Sequence, residues 1–170
     1  MILLACEGKS EVLLMQRLLD AHALRFDASE ILDRRPIHLR QLKDAKAMIN
    51  ILPIGTCLEV YRIGDTQKDE WDLSPFANRQ SRGNLKVHRI CTKPEIEILE
   101  IICLGLLPEY QKGKQKVSPK RFTRMNKACL PFPEFVLRED VGSLVEAIRA
   151  YKRLKRHQID EGFLADLLLQ

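Results

Sequence analysis

Apolar positions along the chain come in short blocks, and their spacing changes between the pattern of a strand and that of a helix. Residues 1–6 form an apolar run of strand length, about five or six residues, and the run stops at Glu7. Over residues 10–24 the apolar positions recur at helical spacing. The beginning of the chain therefore predicts a strand, a tight turn and a helix.

The alternation of strands and helices continues beyond this first unit. Residues 57–63 and 85–91 are rich in strand-forming side chains, and a glycine or a polar stretch follows each block. Residues 66–84, which lie between them, are polar and predict a long loop. The remaining elements predicted in this part are a short strand at 36–39 and a helix at 42–52.

The second half of the chain predicts mainly helices. Thr92 and Glu95 have the spacing of a capping box, which places a helix start before the apolar positions of 96–107. Ser118-Pro119 is a second helix start. Residues 130–137 contain two prolines and predict an extended connection or an edge strand. The last two predicted elements are an amphipathic helix with a basic tail at 141–157 and a short apolar helix at 159–169.

Strands that alternate with helices predict an α/β fold with a mostly parallel sheet flanked by helices. The first strand is expected at the centre of this sheet. The chain has 170 residues, of which 45% are hydrophobic, and this size predicts a single domain with a core of its own. We expect an α/β core at 1–107 that carries an acidic site, followed by a basic, mostly helical extension at 108–170.

The sequence also bears on the compartment. It contains no run of about 18 uncharged apolar residues, and its first residues lack the basic region and cleavage site of a secretory signal. We therefore expect a cytoplasmic protein that does not bind a membrane. The five cysteines are odd in number and form no C-x-x-C pair, so they predict buried free thiols rather than disulfides or a zinc site.

Positive charge is concentrated in one part of the chain. Residues 79–157 carry 18 Lys and Arg against 8 Asp and Glu, although the formal charge of the whole chain is only +5. Within this part, residues 111–124 contain six basic residues and no acid. Such a cluster fits the binding of a polyanion, because neutralising phosphates requires clustered cations. A solvated helix face is the alternative explanation.

Acidic residues follow three of the predicted strands. Glu7 ends the first strand, Asp65 follows the strand at 57–63, and Glu95 and Glu97 come soon after the strand at 85–91. The carboxyl ends of parallel strands lie at one edge of a sheet, where ligands bind, so these acids are expected to converge. Converging carboxylates favour a hard divalent cation, which is also the apparatus of phosphodiester cleavage. Each acid alone has a structural explanation as well, such as a turn or a helix cap.

The stretch ILLACEGKSEVLLMQRLL resembles the first motif of the Toprim domain, an apolar strand followed by Glu-Gly-x-x-Asp/Glu and a helix. Glu7, Gly8 and Glu11 match its acid, its glycine and its second acid. The second Toprim motif is Asp-x-Asp after a later strand; YRIGDTQKDE supplies Asp65, but Gln67 stands where the second acid belongs. Topoisomerases, DnaG-type primases, OLD-family nucleases and small ribonucleases that mature ribosomal RNA share this domain.

The OLD-like branch offers two further similarities. Its additional acidic pair resembles KPEIE, which places Glu95 and Glu97 there in an ExE rather than a DxE arrangement. These nucleases also use a downstream lysine in catalysis, for which Lys120 is the first candidate. Three other lysines compete with it: Lys114, Lys116 and Lys127.

The resemblance implies a Toprim-like, Rossmann-like fold and a metal-dependent nuclease of the OLD-like or small Toprim type, using Mg²⁺ or Mn²⁺. The residues it implies for catalysis are Glu7, Asp65 and Lys120. The implied metal ligands are Glu7, Glu11, Asp65, Glu95 and Glu97. The cations expected to hold the phosphates of DNA or RNA are Lys93, Lys112, Lys114, Lys116, Lys120, Arg121 and Arg124.

Two alternatives stay open at this point. One is a non-catalytic module that binds nucleic acid or a partner protein within a phage-defence or mobile-element system, with Gln67 marking a degenerate site. The other is an enzyme that acts on a nucleotide or another small phosphorylated substrate. In that case the loop at 66–84 and the lone Trp71 would form a lid over the ligand. The sequence leaves the oligomeric state open.

Overall fold

A computed structural model of the chain describes residues 1–53, 55–65, 71–93, 95–112, 117–154 and 161–170. Several positions singled out above lie outside these ranges. They include Gln67, Lys114, Lys116 and residues 155–157, the last part of the basic tail of the helix predicted at 141–157.

The described strands form one sheet of five, and every neighbouring pair in it runs parallel. Helices flank this sheet, which confirms the predicted α/β fold and is consistent with a Rossmann-like arrangement. The strand order is β2-β1-β3-β4-β5. The strands are β1 (Ile2–Cys6), β2 (Ile37–His38), β3 (Leu58–Gly64), β4 (Leu85–Cys91) and β5 (Gly162–Phe163).

The register brings the carboxyl ends of the three long strands level with one another. Cys6 at the end of β1 pairs with Ile63, and Gly64 at the end of β3 pairs with Cys91 at the end of β4. The strand at the centre of the order is β3, not β1 as predicted. The first strand lies one place aside because β2 and β3 both pair with it.

Eight α-helices are described, and apolar residues cover both faces of the sheet. Leu4 of β1 belongs to a core built with the first, fourth, seventh and eighth helices. Leu3, its neighbour, belongs to a second core on the other face with the second helix. None of the described helices has the length and apolar character needed to cross a membrane. The helices are α1 (Lys9–Asp20), α2 (Lys46–Ile51), α3 (Ala77–Ser81), α4 (Ile98–Cys103), α5 (Leu107–Lys112), α6 (Pro119–Met125), α7 (Phe132–Arg138) and α8 (Val141–Leu154).

Helix α4 begins later and ends earlier than the helix predicted at 92–107. The backbone N–H of Thr92 donates to the Gly64 carbonyl at 3.0 Å, so Thr92 still belongs to the sheet ladder and caps no helix. Glu97 is the residue that precedes α4. At the other end Gly105 has φ +68, the left-handed backbone that ends a helix, and α5 follows as a separate element.

Two predictions for the last part of the chain were wrong. Residues 130–137 are not extended, since α7 begins directly after Pro131, and Pro133 lies in its first turn, where no N–H is needed. The segment predicted as a helix at 159–169 is described from residue 161, as the short strand β5 and the 3-10 helix Leu164–Leu167. Pairing of Gly162 and Phe163 with β4 overrides the helical spacing there.

Two smaller differences lie between β2 and β4. The helix predicted at 42–52 begins as the 3-10 helix Leu42–Ala45 before it becomes α2. The described part of the predicted loop contains the 3-10 helix Ser74–Phe76 and α3. Phe76 is buried in the core, so this part of the loop is an element of the fold.

All five cysteines are free, as predicted. Their burial is less uniform than expected. Cys6 and Cys91 are buried in the sheet, Cys103 and Cys129 are half-buried, and Cys57 is exposed.

Candidate functional site

A pocket of about 300 Å³ lies where the carboxyl ends of β1, β3 and β4 meet. It brings together five acids and two lysines, Lys9 of α1 and Lys120 of α6. Gly8, Ser10 and Ile96 complete its lining. The five acids are Glu7, Glu11, Asp65, Glu95 and Glu97.

The turn after β1 determines where the first two acids lie. The Glu7 N–H donates to the Ile63 carbonyl at 2.9 Å, which extends the ladder one residue beyond β1. Gly8 then leads into α1, and a Cβ at Gly8 would collide with Oε2 of Glu11. A Cβ at Gly64 would collide with the carboxylate of Glu7 in the same way. Two glycines therefore make the room in which these carboxylates lie.

Glu7 forms an ion pair with a buried arginine that the sequence analysis missed. Nε of Arg62 donates to Oε1 of Glu7 at 2.8 Å, and Nη2 lies 2.5 Å from the same oxygen. The Arg62 side chain is only 5% exposed and that of Glu7 is 15% exposed. The signal was present in the strand pattern, since Arg62 shares its face of β3 with the buried Leu58 and Val60.

Trp71 lies beneath this pair. The Arg62 guanidinium stands 4.9 Å from the centre of the Trp71 ring, and Trp71 is 8% exposed and belongs to the second core. Trp71 does not line the pocket that holds the acids. Residues 66–70 of the predicted lid lie outside the described ranges, so the lid stays a prediction.

Glu11 is the most buried of the pocket acids. It is 9% exposed, and burial raises its pKa from the ordinary value of 4.5. The negative charges of Asp65, Glu97 and Glu7 act in the same direction. The carboxylates of Asp65, Glu97 and Glu7 therefore lie close enough to Glu11 to repel its negative charge, and a bound cation would offset that repulsion.

Glu95 and Glu97 connect the pocket to α6. Oε2 of Glu95 accepts the backbone N–H of Lys120 at 2.8 Å. Ser118 caps the same helix by accepting from the Arg121 N–H at 3.4 Å, which confirms the predicted helix start. Burial raises the pKa of Glu97, while the positive charges of Lys120 and of Arg124 on the same helix oppose that effect.

The predicted phosphate-binding cations do not all gather at the pocket. Lys120 lines it, and Arg124 lies in an adjoining pocket described below. Lys112 and Arg121 are exposed and line neither pocket. Lys93 forms an ion pair with Glu161 at 3.1 Å.

The described carboxylates of this pocket are not arranged as a set of metal ligands. Within the described residues, no three His, Cys, Asp or Glu side chains are arranged to hold a metal ion. Two of the acids are turned toward other partners, Glu7 to Arg62 and Glu95 to the Lys120 N–H. The donor set nevertheless fits Mg²⁺ or Mn²⁺ in kind, since it consists of carboxylate oxygens beside two glycines that leave space.

Comparisons of the chain with models of protein families, with curated proteins and with solved structures found no match. The resemblance to the Toprim domain therefore rests on the motifs quoted above and stays a prediction.

Proposed function

We propose that this protein is a Toprim-type phosphodiesterase that cleaves nucleic acid with the help of Mg²⁺ or Mn²⁺. The observation that carries the proposal is the common pocket at the carboxyl edge of the parallel sheet, which is lined by five carboxylates and the two lysines Lys9 and Lys120. Ligands of such sheets bind at this edge. A second pocket with further cations adjoins it, which supplies the positive charge that a polyanionic substrate requires.

The residues that would hold the metal are Glu7, Asp65 and Glu97. Glu11 and Glu95 would complete the set, directly or through water. A bound divalent cation supplies an activated water and neutralises charge on the phosphate. Burial is the main cause of the raised pKa of Glu11, and the repulsion from the neighbouring carboxylates, which adds to it, is what a cation would offset.

The protein residues contribute orientation and charge. Arg62 holds Oε1 of Glu7, so the Glu7 carboxylate has a fixed direction as ligand or as general base. Lys120, which also lines the pocket, is the first candidate to donate to the phosphate oxygens as negative charge develops on them.

A non-catalytic nucleic-acid-binding or protein-binding module remains the second candidate. The observation that favours it is the absence of a formed metal cage within the described residues. An enzyme for a small phosphorylated substrate loses one supporting argument, because Trp71 is buried in the core.

The test is an incubation of the protein with labelled single- and double-stranded DNA and RNA, with Mg²⁺, with Mn²⁺ and with chelator. We expect metal-dependent cleavage of at least one substrate by the wild type and none by Glu7→Gln. Glu146→Gln is the matched control, since Glu146 is exposed on α8 and pairs only with Arg149 among the described contacts. Binding without cleavage under every condition would favour the second candidate, and an active Glu7→Gln would exclude the proposed site.

A further inference from the structure

A second pocket, of about 570 Å³, opens directly beside the acidic one. The two pockets share Ser10, Glu97 and Lys120, so they adjoin one another. The far side of the second pocket consists of the end of α6 and residues 126–133. We call it the side pocket.

The side pocket carries an excess of positive charge. It is lined by three cations, Lys120, Arg124 and Lys127, and by one carboxylate, that of Glu97. Arg124 and Lys127 are both exposed, and neither forms an ion pair with a described carboxylate. An excess of cations in a pocket favours an anionic ligand, such as a phosphate group.

The other part of its lining is apolar. Met125, the last residue of α6, is 69% exposed, whereas Phe122 of the same helix is half-buried against the core. Met125 lines the side pocket together with Arg124. Leu130, Pro131 and Pro133 continue the apolar surface. A flexible thioether over an apolar floor suits contact with a planar ring.

The wall that carries this surface is anchored in the core. Leu130 donates its N–H to Oε1 of Glu100 at 2.7 Å, and Glu100 is fully buried on α4. The lining also includes Glu97, the residue that precedes α4. Leu130 and Glu97 are therefore both attached to α4, and the pocket is part of the folded structure.

We infer that the side pocket receives one unpaired nucleotide of a single-stranded polynucleotide. Its phosphate would contact Lys120, Arg124 and Lys127, and its base would lie against Met125 and the apolar floor. Pockets of about 300–1,000 Å³ enclose small ligands, and a base enters such a space only after leaving the helical stack. The neighbouring phosphodiester then reaches the acidic pocket. The placing of the phosphodiester in the acidic pocket rests on the proposed function, whereas the binding of the nucleotide in the side pocket does not.

The test measures binding without metal, so that cleavage plays no part. Fluorescence anisotropy in chelator compares labelled single strands of DNA and of RNA with a blunt DNA duplex of the same length. We expect at least one single strand to bind about tenfold or more tightly than the duplex. We also expect Met125→Ala and Met125→Gln to weaken single-strand binding about fivefold and to leave the weak duplex binding unchanged.

Matched controls are available on other surfaces. Leu137→Ala removes another exposed apolar side chain, from α7, and Lys46→Ala removes an exposed cation from α2; both variants should bind as the wild type does. Arg124→Ala and Lys127→Ala should each weaken the binding of single strands.

Two results would overturn the inference: equal affinity for single strands and duplex, or single-strand binding that both Met125 variants leave unchanged. Failure of the proposed function would give a different result, namely binding of single strands without metal-dependent cleavage. The DNA and RNA arms show which single strand the pocket takes.

Discussion

Two nitrogens of the Arg62 guanidinium contact a single carboxylate oxygen of Glu7, Nε at 2.8 Å and Nη2 at 2.5 Å. The pair lies at the carboxyl ends of two neighbouring strands and is almost wholly buried. Its burial means that each charge depends on the other, because a buried charge without its partner is costly. The geometry also makes Arg62 the residue that orients the acid on which the candidate site depends.

Removal of Arg62 should lower the stability of the protein in two ways: its own contacts are lost, and the buried Glu7 carboxylate is left without a partner. We expect Arg62→Gln to lower the free energy of unfolding by about 3–5 kcal/mol, since the buried Glu7 carboxylate loses its partner. The double variant with Glu7→Gln should recover part of that loss. Urea unfolding of the wild type, both single variants and the double variant gives the coupling energy. Strictly additive losses would contradict the pair.

A methyl group at Gly64 should displace Glu7. The Cβ of Gly64→Ala would collide with the Glu7 carboxylate, and overpacking of this kind costs about 1–3 kcal/mol. Gly55→Ala is the matched control, because a Cβ at Gly55 meets nothing within 4 Å. Thermal unfolding of both variants checks this. If Gly64→Ala and Gly55→Ala lower the stability equally, the collision with Glu7 does not explain the need for glycine at residue 64.

Arg79 should be as important for stability as a residue of the apolar core. It is 7% exposed, and its guanidinium donates to the carbonyls that end α2 and begin the following turn. These are the carbonyls of Ile49 (3.1 Å), Leu52 (2.5 Å), Pro53 (3.3 Å) and Thr56 (3.3 Å).

We expect Arg79→Lys to lower the free energy of unfolding by about 2–4 kcal/mol, because an ammonium group lacks the planar fork that reaches all four acceptors. The exposed Arg82→Lys, three residues away, should change it by less than about 0.5 kcal/mol. Denaturant titration separates the two. Similar stability of both variants would show that the four hydrogen bonds are dispensable.

Glu100 should make stability depend on pH. Burial raises the pKa of this carboxyl from 4.5, its hydrogen bond from Leu130 lowers it, and the charge of Glu97 raises it further. A folded-state pKa above the unfolded value means that the folded chain holds the proton longer. The contribution of Glu100 to stability is therefore present below about pH 4.5 and is lost as the pH rises through the folded-state pKa.

Glu100→Gln should remove that loss, since an amide oxygen still accepts the Leu130 N–H. Its free energy of unfolding should exceed that of the wild type at pH 8, and the difference should shrink toward pH 4. Glu109→Gln, at an exposed position on α5, is the control. A pH-independent difference between Glu100→Gln and the wild type would mean that Glu100 does not titrate in this range.

The sequence predicted the sheet and the meeting of the acids because both follow from local patterns. The strand predicted at 85–91 has the same bounds as β4, and level parallel strands bring Glu7 and Asp65 to one pocket. Arg62 was missed because its role depends on which face of β3 it shares and on a partner 55 residues away. Such a relationship arises only after the strands pair.

The helices after β4 were harder to predict for a different reason. Two prolines near α7 suggested an extended segment, although Pro131 and Pro133 lie where a helix tolerates them. Capping-box spacing at Thr92 and Glu95 suggested a helix start, but Glu95 accepts from Lys120 instead. In both cases the local sequence is compatible with two secondary structures, and the packing of the whole chain determines which one forms.

The proposed function requires the acidic pocket to hold a divalent cation, and calorimetric titration of Mn²⁺ into the metal-free protein tests this most directly. We expect saturable binding by the wild type and by the control Glu146→Gln. We also expect a loss of about tenfold or more in affinity in Asp65→Asn and in Glu7→Gln, because each removes a carboxylate ligand. The absence of saturable binding, or equal binding by all four proteins, would contradict the proposed metal site.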